Sequence, residues 1–416
     1  MNAELLHCAR LASGELVDVR IVDGLVAEID EAGSLEGSAG GAVLDLDGAL
    51  LLPAAAEPHA HLDKSQSWDA IQPPLGDLPK AVRSWHDFAG ILTEDDIERR
   101  ALSTLRRMVR AGFTAVRTHA DLLPGDDPVR GIRALARVKQ RVAEVLDLQI
   151  VVLGLADKPT EVFAAALDAG ADLVGGAPHL SPDPIADLQR LVALAAERGI
   201  GMDIHTDENL DGPITIDTYA ALTRGWEQPR TASHCSRLST FSPQRLAEVA
   251  AALRDADIGV VALPITNLYL QGRDAATTGP QGRGIAPIGA LAAAGVRVAA
   301  GADNVRDPFN PVGRCDPFET SSLLVAAAHL APADALAAVT TGARDVLGLP
   351  AAGPHVGAVA DLVAVRAVSI EEAIAYAPAE RTVFRRGRVI ARTRVEHDSA
   401  QELDGAPGAV GEERIR

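Results

Sequence analysis

Apolar and polar positions alternate in short runs over the first fifty residues: Leu16–Val22, then Gly24–Ile29, then Ala42–Leu46. A period of two marks strands whose two faces meet different surroundings. Asp23-Gly24 between the first two runs predicts a tight hairpin, because both residue types tolerate the positive φ of such turns. Strands this short cannot form a domain alone. Matching patterns recur at the far end, in Ala360–Val365 and Thr382–Ala391. The simplest expectation is a small β-sandwich built from residues 1–50 and 350–395 together.

Between them, over residues 51–349, the pattern changes to alternating strands and helices. Helical periodicity predicts helices over Asp95–Ala111, Val129–Val145, Thr160–Ala169, Pro184–Glu197, Ser242–Ala256, Pro287–Ala294 and Pro332–Thr341. Apolar, β-branched runs predict strands at Leu50–Glu57, Phe113–His119, Leu148–Leu153, Asp172–Gly176, Gly201–His205, Arg230–His234, Ile258–Leu263 and Arg297–Asp303. Strands alternating with helices in this number predict an α/β fold, a (β/α)8 TIM barrel, whose catalytic groups stand at the strand C-termini. The segment Ser65–Leu92, with Trp68, Trp85, Pro73, Pro74 and Pro79, reads as an insertion of the kind used for lids or binding loops. Residues 396–416 are rich in Gly and charge, and a disordered tail is expected there.

Composition narrows the partners. The 416 residues are 47% hydrophobic and 23% charged, with a formal net charge of -18. Lys and Arg form no cluster, which argues against nucleic acid and against an anionic membrane surface. The three cysteines, Cys8, Cys235 and Cys315, lie far apart without CxxC spacing, so a reducing cytoplasm is expected. The first residues carry neither a basic stretch nor a long apolar one, so no signal peptide is expected. Assembly as a homo-oligomer is expected too.

The chemistry lies at the predicted strand ends. His59 and His61 follow strand one, His119 ends strand two, His179 follows strand four, His205 ends strand five, His234 ends strand six and Asp303 ends strand eight. Six of the eleven histidines thus fall on the face where barrels do chemistry. A divalent catalytic ion wants neutral imidazoles, commonly a carboxylate, and one position open to water. His59, His61, His205 and Asp303 meet that need from three strands. Such an ion, one of the Zn, Fe, Ni or Cu that imidazole suits, would acidify its bound water into a nucleophile. Glu208, three residues past His205, is the candidate for moving the proton to the leaving group, and His234 for orienting the attacking group. Neither a G-x-S-x-G elbow nor a phosphate-binding glycine loop is present.

These residues, taken with their neighbours, resemble the amidohydrolase superfamily and within it the bacterial cytosine deaminase branch. The matching segments are Glu57–Asp63, Arg117–Asp121, Leu148–Val151, Ala177–His179, Asp203–Glu208, Ala232–His234, Leu270–Arg273 and Asp303–Pro308. They are collinear and span roughly residues 10–395. The resemblance implies one Zn or Fe ion on His59, His61, His205 and Asp303, a proton shuttle at Glu208, and assistance from His234. No lysine ends strand four, which disfavours the two-metal arrangement built on a carboxylated lysine. For substrate contacts the resemblance points to Lys64, His119, Leu155, His179, Gln271, Asn304, Arg306 and Phe309. Departures are informative. Leu155 stands where cytosine deaminases carry a glutamine that reads the pyrimidine edge, and Asn304 stands where they carry an acid. Lys64 and the Asp303-Asn304 pair are similar to the branch that removes N-alkylamines from s-triazines. Phe309 matches an aromatic residue over the ring, and Arg306 stands where it either meets an anionic substituent or, the commoner case, pairs with a local carboxylate.

The expected activity is therefore hydrolytic: hydroxide adds to the sp² carbon of an amidine in a small nitrogen heterocycle, and ammonia or an amine leaves. Ring opening of a cyclic amide is the enzymatic alternative. A catalytically silent barrel used for binding is the alternative of another class, disfavoured by the intact ligand set with Glu208.

Overall fold

The computed structural model describes residues 2–37, 41–75, 78–271 and 283–396. The expected tail, apart from Glu396, lies outside these residues, as do Gly272 and Arg273 of the Leu270–Arg273 motif. Eight parallel strands form one sheet in chain order: Ala55–Ala60, Phe113–Asp121, Asp147–Leu153, Leu173–Gly176, Met202–Thr206, Arg230–His234, Gly259–Ala262 and Val298–Ala300. A parallel bridge between Ala60 and Asp303 brings the last strand's end back to the first. Helices follow the strands as the periodicity predicts, within a few residues at each end. Their ends obey local chemistry. Thr93 accepts a hydrogen bond from the Asp96 N–H to start Glu94–Ala111, and Gly112, at φ 111°, stops it.

The second sheet takes strands from both termini: Leu5–Arg10, Leu16–Val22, Leu25–Glu31, Val43–Asp45, Leu50–Pro53, Leu362–Val365, Arg381–Arg385 and Arg388–Arg392. Asp23 and Gly24 both have positive φ (53° and 79°), so the hairpin between Leu16–Val22 and Leu25–Glu31 turns as its sequence requires.

One strand lies elsewhere than its hydrophobicity suggests. The apolar run Leu50–Pro53 is not part of the barrel. It pairs antiparallel with Leu362–Val365 in the terminal sheet, and the barrel's first strand begins only at Ala55. A continuous apolar run signals burial on both faces, which a barrel strand and a covered sheet strand share. Here Leu51 faces the core of the terminal sheet, together with Leu362 and Ala364, whereas Leu50 and Leu52 face the barrel's core with Val363 and Val365.

Ion pairs tie the two layers. Arg344 Nη1 lies 3.2 Å from Asp361 Oδ2, with both side chains buried, and Arg385 Nη2 lies 2.9 Å from Asp147 Oδ1. The barrel's closing seam is held by Glu57, whose Oε1 accepts from His59 N–H (3.2 Å) and whose Oε2 accepts from Ala302 N–H (2.9 Å). Gly301 is required beside it, because a Cβ there would stand 2.1 Å from Glu57 Oε1.

Two stability outcomes follow from these contacts. Arg344→Met should cost roughly 3–5 kcal/mol in chemical denaturation, since it strands the buried Asp361 carboxylate. Gly301→Ala should cost about 1–3 kcal/mol by overpacking the seam. A midpoint unchanged from the parent in either variant would contradict these assignments.

Candidate active site

The polar residues gather where the barrel strands end. His59 is the penultimate residue of the first strand and His61 lies just past it, so their side chains leave the same face. His205 is penultimate in the fifth strand, His234 ends the sixth, and Asp303 lies beyond the eighth. Left-handed backbone is concentrated here, at Asp207 (φ 51°), His234 (72°), Cys235 (50°) and Asp303 (61°). Such conformations cost energy in non-glycine residues and persist where the surroundings over-determine them, commonly at functional sites.

Four ligand-type atoms meet at this point. His59 Nε2 is 3.1 Å from His205 Nε2, and His205 Nε2 is 3.4 Å from His61 Nε2. Asp303 Oδ1 is 3.2 Å from His61 Nε2 and 3.7 Å from His59 Nε2. Atoms bound roughly 2.0–2.2 Å from a tetrahedral ion stand about 3.3–3.6 Å apart, so the spacing fits one such ion. Both Asp303 oxygens are buried and accept no hydrogen bond from the described residues. Burial holds all three imidazoles well below their ordinary pKa; His119 and His205 add to this for His59, Lys64 for His61, and His119 for His205. They are therefore neutral, the form that binds metal. Burial pushes Asp303 up to about 6, against the pull of His234, which leaves it mostly ionised at neutral pH.

Glu208 is buried beside this cluster, with Oε2 3.2 Å from His179 Nε2 and Oε1 3.6 Å from His234 Nδ1. Burial would raise its pKa, but His234 and His179 outweigh that effect and hold it below the usual carboxylate range. His179 Nδ1 donates to the His205 carbonyl (3.1 Å), so His179 braces Glu208 against the fifth strand. Asn267 Nδ2 donates to His234 Nδ1 at 3.0 Å, which places the proton of neutral His234 on Nε2.

A cavity opens above these groups, lined among others by His61, Lys64, Leu155, Asn304 and Phe309. Lys64 is buried, and its Nζ donates to both oxygens of Asp121, at 3.1 and 2.9 Å. Four expected substrate contacts are absent from the lining. His119 is buried beneath, its ring 3.9 Å from that of His59 and its Nε2 3.6 Å from Asp203, a carboxylate fixed by Arg117 and Ser233. His179 is taken up by Glu208. Gln271 Nε2 donates to Asn209 at 3.3 Å, and Arg306 reaches outward to pair with Asp69 at 2.7 Å on the surface. The reasons are geometric. A strand residue facing the barrel interior joins the layer below the mouth, and an exposed arginine beside a carboxylate pairs locally.

Asp121, Trp85 and Asn267 escaped the sequence reading. Asp121 ends the second strand within the Arg117–Asp121 motif, so its position was a signal. Asn267 gave none, because it lies on a short helix, Pro264–Leu270. Trp85 sits in the insertion, on helix Leu78–Ala89, and its indole N–H donates to Asp121 Oδ2 at 2.5 Å.

Comparison with known proteins agrees with this architecture. A model described as the amidohydrolase family matches residues 81–391. A pterin deaminase of Rhizobium rhizogenes is 34% identical over 407 residues, covering 94% of this chain and 91% of its own. The N-isopropylammelide isopropyl amidohydrolase of Pseudomonas sp. strain ADP is 25% identical, covering 91% and 94%. Among solved structures, 5-methylcytosine deaminase from Klebsiella pneumoniae liganded with 5-fluorocytosine superposes with a TM-score of 0.85 at 28% identity, over 95% of this chain and 99% of that one. Family match, barrel and strand-end cluster agree, and the chain belongs to the amidohydrolase family.

Proposed function

We propose that the protein is a metal-dependent hydrolytic deaminase of an amidine carbon in a nitrogen heterocycle, with His59, His61, His205 and Asp303 holding one Zn or Fe ion. The observation that carries this reading is the close approach of those four atoms, 3.1–3.7 Å apart where they meet, below a cavity that is also lined by Glu208 and His234. The ion, when bound, supplies a nucleophile near neutral pH by acidifying water.

The chain's own residues do the rest. Glu208, braced by His179, takes the proton from the nucleophile and returns it to the leaving nitrogen as the C–N bond breaks. Water's oxygen ends on the ring carbon and ammonia departs. His234, with Asn267 on Nδ1, presents Nε2–H as a donor to the group that develops negative charge. Leu78, Leu155, Leu270 and Phe309 make the cavity wall apolar, which suits a flat ring. The relatives' names span pterin, N-isopropylammelide and 5-methylcytosine. Pterin is the first ring to test, because that relative is 34% identical over 94% of this chain.

We place the enzyme in the cytoplasm as a homo-oligomer acting on a small molecule, without nucleic-acid or membrane partners. Its net charge of -18 supports this. Among the described residues no helix is long and apolar enough to cross a membrane.

Purified protein should carry about one Zn or Fe per chain by elemental analysis. Chelation should abolish ammonia release from an aminated heterocycle, and adding either ion back should restore it. Protein without bound metal and inactive on every ring after loading would end this reading, and ring-opened product by mass spectrometry would favour cyclic-amide hydrolysis instead. Glu208→Gln should keep the metal while lowering turnover roughly 10²–10⁴-fold, the usual worth of a general acid–base. An unchanged rate removes Glu208 from the mechanism.

A further inference from the structure

The cavity wall carries a cation the deamination chemistry does not use. Lys64 Nζ lies 5.2 Å from the centroid of the Trp85 ring and 5.1 Å from that of Phe309. Ammonium ions are attracted to aromatic faces, and more strongly once desolvated. Asp121 holds the same nitrogen through both of its oxygens, and Asp121 is itself fixed twice more. Trp85 Nε1–H donates to its Oδ2 at 2.5 Å, and its backbone N–H donates to Asp63 Oδ2 at 2.9 Å. The cation therefore has a defined position and a counter-charge. An ammonium group has three N–H bonds, and the contacts with Asp121 occupy two of them. Lys64 and Asp121 both line the cavity, together with His61, Glu208 and His234.

Asn304 on this wall is partly engaged. Asn304 Nδ2 donates to Asp307 Oδ2 at 2.9 Å, and Asn304 Oδ1 faces Thr266 Oγ1 at 3.4 Å. Leu155 offers no hydrogen bond. The remaining N–H of Lys64 is thus a charged donor available to a ring in this cavity, besides the Nε2–H of His234. A lysine ammonium donates and never accepts. It is satisfied by a ring carbonyl, and a ring amino group at that place sets donor against donor. The charge of Lys64 is balanced by Asp121, so a neutral carbonyl suffices and no anionic substituent is required.

We propose that Asp121 is a positioning residue that aims Lys64 at the substrate, and that the pair restricts the substrate to amino-oxo heterocycles, rings bearing a lactam carbonyl beside the amidine that is hydrolysed. Trp85 makes the insertion helix Leu78–Ala89 part of this device, since its indole fixes Asp121 and its ring flanks the cation. The proposal rests on the deaminase reading and adds to it the group that chooses the ring.

The test compares matched rings with metal-loaded enzyme: a 2-amino-4-oxo pyrimidine or pteridine against the same ring with hydrogen or an amino group at position 4. The parent should favour the oxo ring in kcat/KM by roughly 10²-fold or more, as sites built around a buried hydrogen bond do. Asp121→Asn should raise KM for the oxo ring more than it lowers kcat and should shrink the preference at least about tenfold, the scale of one charge-assisted contact. Trp85→Phe, which keeps a ring beside Lys64 and removes the N–H, should shift the preference the same way by less. Metal content should match the parent in both variants. Equal turnover of oxo and non-oxo rings by the parent overturns the proposal and leaves the deaminase reading standing. A folded, metal-loaded Asp121→Asn enzyme with the parent's preference also overturns it. Failure of the parent to deaminate any ring strikes the reading beneath.

Discussion

The structure depends on one closure. The first and eighth barrel strands have to meet, because His59 and His61 come from one and Asp303 from beyond the other. The bridge from Ala60 to Asp303 and the hydrogen bond from Asp303 N–H to the His59 carbonyl (3.1 Å) make that meeting. Glu57 stitches the layer beneath. Burial pushes its carboxyl up to about 8, while its two backbone N–H bonds act in the opposite direction. A carboxyl kept fully buried at a seam is costly without such partners, so this one is bound up with the geometry it holds. The distances from Asp303 to His59 and His61 follow from where this seam closes.

Above the seam lie two kinds of polar group. One kind is left without hydrogen-bond partners: the Nδ1 atoms of His59, His61 and His205, and both oxygens of Asp303. Buried polar atoms left in this way are rare in folded proteins and commonly answer to a group that joins later. The other kind is saturated. Asp121 accepts from Lys64 and Trp85, and Asp203 accepts from Arg117 and Ser233. The unsatisfied set is suited to chemistry and the saturated set to holding shape. Glu208 stands between them, close to His179 and His234 and still facing the cavity.

Much of this was legible in the sequence. Helix and strand periodicity located seven of the eight barrel strands and overlapped the first only at Ala55–Glu57, and the strand-end histidines with Asp303 marked the cluster, because ligands from different strands converge at a barrel's mouth. Two things were not legible. Leu50–Pro53 carries the apolar signature of any strand buried on both faces, so its sequence could not say which sheet it joins. The roles of His119, His179 and Gln271 depend on depth and on neighbours brought from distant strands, and periodicity reports neither. Asp121 sat inside a recognised motif but looked like one more loop carboxylate until Lys64 and Trp85 were placed around it.

The terminal sheet has a consequence for how the chain is made. Leu50–Pro53 leads directly into the strand that carries His59, yet its sheet partner, Leu362–Val365, comes from the opposite end of the chain. The N-terminal strands leave the ribosome with one edge unpaired, and that edge stays open until nearly the whole chain has been synthesised. Pairings this remote are slow to form and expose aggregation-prone edges meanwhile. Truncation near the C-terminus would therefore act on the metal-side histidines at a distance, by leaving the strand just before them without its neighbour.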